Sequence, residues 1–152
     1  MNARIKSQIR ALDALFKDVK GVSDDEIKGH LAKYLCVKTS GLLENYLKSQ
    51  IGDYVDNCSS KPTATFVKSK MKTFTNIDNK KLTSFLQSFH EDWLEKYENL
   101  INDQLKSALN SVISNRNNIA HGNPDNITFN AIENYYEDIK QVINHLDSII
   151  KK

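Results

Sequence analysis

Residues 23–51 read S-D-D-E-I-K-G-H-L-A-K-Y-L-C-V-K-T-S-G-L-L-E-N-Y-L-K-S-Q-I. Ile27, Leu31, Leu35, Leu42, Leu43, Tyr46, Leu47 and Ile51 recur here at helical steps, and no sustained period-two alternation marks a strand. Ser23 predicts the start of the helix. Its hydroxyl can accept from the Glu26 backbone N–H while the Glu26 side chain reaches back, and Asp24 and Asp25 set negative charge against the positive helix end. With Gly29 and Gly41 tolerated inside, the helix should run for about thirty residues, until the cluster Asp56, Asn57, Ser59, Ser60 and Pro62 stops it.

The flanks carry the same period. Upstream, Ile5, Ile9, Leu12, Phe16 and Val19 line one stripe of a helix expected to close on Gly21 in the left-handed conformation. Downstream, two shorter helices are expected, one around Phe66, Val67 and Met71 and one carrying Leu82, Phe85, Leu86 and Phe89, parted near Asn76 to Asn79. From Trp93 the series Leu94, Tyr97, Leu100, Ile101, Leu105, Leu109, Val112 and Ile113 continues to Gly122, with room for a break before Asn99. Asn123, Pro124 and Asp125 then enforce a turn. Ile132, Tyr136, Ile139, Ile143, Leu146 and Ile150 alternate steps of four and three, the spacing of a helix packed in an antiparallel bundle or across a dimer. Residues 1–152 therefore read as a single all-α domain, an antiparallel helical bundle with two long central helices and shorter flanking helices.

A chain of 152 residues that is 39% apolar and 26% charged, with five Gly and two Pro, suits one compact domain rather than a disordered tail. No apolar run approaches the roughly 18 residues of a membrane span. Arg4, Lys6, Arg10, Lys17 and Lys20 punctuate the first helix, so no secretory leader is expected and the protein should be soluble and cytoplasmic. Two cysteines, Cys36 within a helix and Cys58, predict reduced thiols rather than a disulfide framework. Lys plus Arg total 21 against 19 acids, which is not the surplus of a protein that holds nucleic acid by charge alone. Any such activity must be local.

Common catalytic motifs are missing. His30, His90, His121 and His145 never stand three or four apart, and there is no C-x-x-C or H-E-x-x-H, so no metal site is expected from local motifs. Neither G-x-x-x-x-G-K nor G-x-G-x-x-G occurs, and no serine sits in a G-x-S-x-G elbow. No cofactor is implied. What remains is residues 114–122, S-N-R-N-N-I-A-H-G, which hold one of only three arginines. At 100° per residue from Leu109, Arg116 falls at about −20°, within the apolar stripe, while Asn117 lies at about +80° and His121 at about +120°, on its flank. A guanidinium cannot shed its charge, so in such a place it must meet a carboxylate, carbonyl groups, a partner or an anion. Glu44 is the candidate carboxylate within the chain.

R-N-N-I-A-H-G resembles the R-x(4–6)-H signature of the HEPN superfamily, including a polar residue directly after the Arg (Asn117) and a small residue before the His (Ala120). The segment H-L-A-K-Y-L-C-V-K-T-S-G-L-L-E-N-Y-L and the tail N-Y-Y-E-D-I-K-Q-V-I resemble its compact RiboL-PSP-HEPN branch, so the likeness covers most of the chain. The resemblance implies an all-helical fold, a homodimer and a metal-independent endoribonuclease of a toxin–antitoxin, restriction or antiviral system, with an antitoxin or defence protein as partner. Arg116 and His121 then take the catalytic positions and Asn117 the supporting one. It equally admits an inactive HEPN module for dimerisation or RNA binding in a larger defence assembly. HEPN toxins paired with nucleotidyltransferase antitoxins typically continue as H-x-Y, whereas Gly122 and Asn123 follow His121 here, so control through such a tyrosine is not implied.

The residue types suit that chemistry. Free imidazole moves a proton near neutral pH, and a guanidinium fork grips phosphate oxygens as a point charge cannot. One chain supplies one Arg and one His, so a twofold interface would complete the site. Between Lys61 and Lys81, six lysines face the single acid Asp78, and Lys68, Lys70 and Lys72, together with Asn118 of the motif, are the expected RNA contacts. Phe85, Phe89, Trp93 and Tyr97 are spaced as core.

Overall fold

The computed structural model describes residues 1–150. Among them are seven helices and no strand: α1 (Ala3–Lys20), α2 (Asp25–Cys58), α3 (Lys61–Met71), α4 (Asn79–Phe89), α5 (Glu91–Leu100), α6 (Asp103–Ala120) and α7 (Phe129–Ile149). The 34 residues of α2 form the spine, on which α1, α3, α6 and α7 all pack. Ala32, Leu35, Cys36, Leu42, Leu43, Tyr46, Leu47 and Ile51 of α2 are sealed in one core with Leu109 and Val112 of α6 and Ile139, Ile143 and Leu146 of α7. The larger of these side chains contribute roughly 1.5–3 kcal/mol each on burial, which is what holds so long a helix against its neighbours. The expected bundle is present, and α2 and α7 are its longest members.

Three local expectations shift. The N-cap of α2 is Asp24, whose carboxylate accepts from the Ile27 backbone N–H at 2.9 Å, and Ser23 stays outside the helix. A carboxylate bonds a helix amide with full charge, which a hydroxyl cannot match, so the first of two adjacent caps yields to the second. Gly21 ends α1 in the right-handed region (φ −78°), its N–H turned back to Asp18 O at 3.2 Å, so no left-handed residue is needed there. The long run after Trp93 breaks at Ile101 and Asn102 rather than before Asn99. Ile101 takes an extended conformation and is buried, and the Asn102 side chain accepts from Leu105 N–H at 2.9 Å to start α6.

The aromatic residues behave as core. Trp93 and Tyr97 are buried and Phe85 and Phe89 are half-buried. Phe74, Phe85, Phe89 and Trp93 form a continuous row with centroids 4.6, 5.1 and 5.5 Å apart, which ends edge-on against Tyr54 of α2 at 5.0 Å. That row ties the α4–α5 pair to the lower half of the spine, since each such contact adds to the burial of its rings.

Both cysteines are free. Cys36 is buried and donates its thiol to Val112 O at 3.5 Å, and burial, helped by the Asp125 charge, pushes its pKa up to about 12. Cys58 is exposed. At pH 8 a thiol reagent is therefore expected to label one cysteine of the folded protein rapidly and the second only in denaturant. Rapid labelling of both would contradict the packing of α6 on α2. No described helix is long and apolar enough to cross a membrane.

Candidate active site at the end of helix α6

The last turn of α6 is fixed by its own backbone. Gly122 stands in the left-handed region (φ 67°), its N–H bonds to Ile119 O at 3.3 Å, and the Asn123 N–H reaches Asn118 O at 2.8 Å. This pair of bonds is a Schellman motif, and it satisfies carbonyls that would otherwise be left open at the helix end. His121 is thereby held as the capping residue, with its own N–H on Asn117 O at 3.0 Å. Its imidazole is exposed and has no hydrogen-bond partner among the described residues. A side chain at 122 would force an L-residue into the left-handed region, so Gly122→Ala is expected to cost about 1–2 kcal/mol in urea unfolding. An unchanged midpoint would show that the cap does not need this conformation.

Arg116 is half-buried, one turn beyond buried Val112 and three residues beyond buried Ile113. No carboxylate among the described residues forms an ion pair with it. Its one hydrogen bond is a long one, Nη1 to Asn117 Oδ1 at 3.4 Å. Glu44 does not reach it. The Glu44 carboxylate instead accepts from the Asn76 backbone N–H at 2.9 Å, at a loop residue with φ 54°. The direction of packing explains this. Cys36 touches Val112, and Lys33, nearer the start of α2, lies 3.3 Å from Asp125 beyond the end of α6. Moving up α6 is therefore moving back along α2. Glu44 lies about 12 Å the other way from Cys36 at 1.5 Å per residue.

The same register separates the expected lysines from the motif. The Lys68 stem passes Gly52 and its ammonium is paired with Asp56 at 2.7 Å, at a level about 24 Å along α2 from Cys36. Lys70 sits 5.3 Å over the exposed Phe66 ring, and Lys72, also exposed, follows the end of α3. None of the three lines the groove beside the motif. That groove, of about 440 Å³, is lined by Asp78, Asn79 and Lys80 at the start of α4 and by Asn110, Ile113, Ser114 and Asn117 of α6. Lys80 stands in the basic stretch, but nothing in its local sequence distinguishes it from its neighbours. The visible signal was the spacing of Asn110, Ser114, Asn117 and His121, in steps of four, three and four along one helix face. Asn118 is half-buried on the adjoining face and its side chain has no partner among the described residues. No three of the described His, Cys, Asp and Glu side chains come together as a metal site would require.

An all-helical bundle of this kind is consistent with the HEPN class of domain. The family model RiboL-PSP-HEPN matches residues 3–152, and the chain belongs to that family. Neither the curated proteins nor the solved structures gave a match. HEPN domains are often ribonucleases.

Proposed function

We propose that this protein is a metal-independent endoribonuclease whose composite site is built by two copies of the chain, each contributing Arg116, Asn117 and His121. The carrying observation is a half-buried guanidinium without a carboxylate, one turn from an exposed, unpartnered imidazole. A half-buried guanidinium without a carboxylate is costly to keep unless an anion comes to it. RNA supplies one. In the reaction the ribose 2′-oxygen attacks its own phosphorus, and the P–O5′ bond breaks to leave a 2′,3′-cyclic phosphate. One imidazole takes the 2′-hydroxyl proton, the other gives a proton to the leaving 5′-oxygen, and the guanidinium forks hold the non-bridging oxygens as their charge grows. Asn117 steadies Arg116 through the bond already formed and offers its amide N–H to phosphate or ribose.

A bare apolar face of α2 offers a surface that a second copy of the chain would cover. Ile27, Tyr34 and Val37 are 52, 49 and 41% exposed there, and a Cβ on Gly41 beside them would meet nothing. On the same side further along, Lys68 of α3 lies against Gly52 and the following loop bonds to Glu44, so the chain itself covers only the lower half of this face. In this reading the enzyme serves toxin–antitoxin, restriction or antiviral defence, with an antitoxin or defence protein to restrain it. The test is cleavage of structured and single-stranded RNA in EDTA with analysis of product ends, together with sedimentation against twice 17.4 kDa. Cyclic-phosphate ends from a dimer are expected. Absence of cleavage would overturn the enzyme and leave the seam as a dimerisation or RNA-binding surface of a larger defence assembly.

A further inference from the structure

The chemistry above touches the 440 Å³ groove only at Asn117, and the rest of its lining is unused. Its size falls in the range of small-molecule sites. The start of α4 is not what would draw a ligand. The Asn79 N–H already donates to Asn110 Oδ1 at 3.0 Å, and Asp78 Oδ1 accepts from Lys81 N–H at 2.8 Å. Lys80 and Asp78 also cancel in charge, so the groove is a poor seat for phosphate.

What the groove does present is a mixed set of donors and acceptors around one apolar side chain. The amide N–H groups of Asn110 and Asn117 and the Lys80 ammonium donate, and the Ser114 hydroxyl does either. The second Asp78 oxygen has no partner among the described residues and accepts. Ile113, 6% exposed, is the one apolar residue in the lining. In RNA, this signature belongs to a base, which is flat and apolar on its faces and carries donors and acceptors on its edges.

We infer that the groove holds the base of a nucleotide flanking the cleaved bond, read by Asn110, Ser114, Lys80 and Asp78. Of the four bases the set fits guanine, whose N1–H meets the free Asp78 oxygen while O6 and N7 take the donors. The inference rests on the nuclease reading for the position of the phosphate, but not for the recognition of the base.

The full chain is tested on an RNA pool randomised around a single cleavable region, with every cut sequenced. Wild type is compared with Ser114→Ala, Lys80→Gln and Asn110→Asp, the last of which keeps the oxygen that caps Asn79. Thermal melts establish that each variant is folded. Guanine enriched at one flanking position in wild type, and reduced about three- to tenfold in the variants, is the expected result, since one lost hydrogen bond is worth that ratio. Cutting by wild type with no guanine preference, or with a preference that all the variants share, overturns the groove and leaves the nuclease standing. If wild type cuts nothing, the nuclease reading fails, and labelled guanosine-containing and uridine-only tetramers decide the groove by anisotropy. A guanosine preference lost in the variants supports it, and equal binding overturns it.

Discussion

His121→Ala is expected to slow RNA cleavage by about 10²–10⁴, the range that a positioned proton-transfer group contributes. The same change should move unfolding free energy by no more than about 0.5 kcal/mol, because the imidazole is exposed and bonds to nothing in the fold. The contribution of residue 121 to the helix end is made by its backbone N–H, which alanine retains. Initial rates on a defined RNA, beside urea melts of both proteins, separate the two effects. A large loss of stability would mean that the histidine is structural. An intact rate would remove it from the chemistry and, with it, the reason for reading the end of α6 as an active site.

How much of this was legible in the sequence depends on how local the cause is. The helices followed from period and caps, because an apolar stripe must be buried wherever it occurs. The α6 motif was equally plain, with Arg116 in a stripe otherwise held by Leu105, Leu109 and Val112. The left-handed glycine proved to be Gly122 rather than Gly21, because both follow a periodic run and the sequence alone does not say which one takes the positive φ. Choices between near-equal neighbours were less legible. Ser23 and Asp24 both make good caps, and the break at Asn102 competes with a continuous apolar series on either side. Pairings at long range were illegible. Glu44 has the charge to meet Arg116, but the antiparallel register of α2 and α6 carries it to Asn76 instead. Lys68 looked like an RNA contact within its basic run until Asp56, twelve residues earlier, was brought beside it by the α2–α3 turn. Charge counts along a sequence do not say which charges the fold will spend on each other.

Arg116→Leu separates stability from function at a single atom group. A leucine continues the stripe of Leu105, Leu109 and Val112 and removes a half-buried charge that has no carboxylate, so the folded chain should gain about 1 kcal/mol in urea unfolding. Cleavage should fall at least about a hundredfold, because the other cation beside Asn117, Lys80, is offset by Asp78 and has no planar fork for the charge that builds on the phosphoryl oxygens. Arg116→Lys completes the comparison. It keeps the charge but loses the planar fork, and should recover only part of the lost rate, since two parallel bonds to phosphate cannot be made from one ammonium. The opposite pattern, a destabilised Arg116→Leu whose fold is rescued by lysine, would mean that the guanidinium holds the bundle together through contacts to carbonyl groups. A gain in stability with loss of cleavage is what a residue kept for an anion must show, because within one subunit its position is a cost that only the substrate offsets.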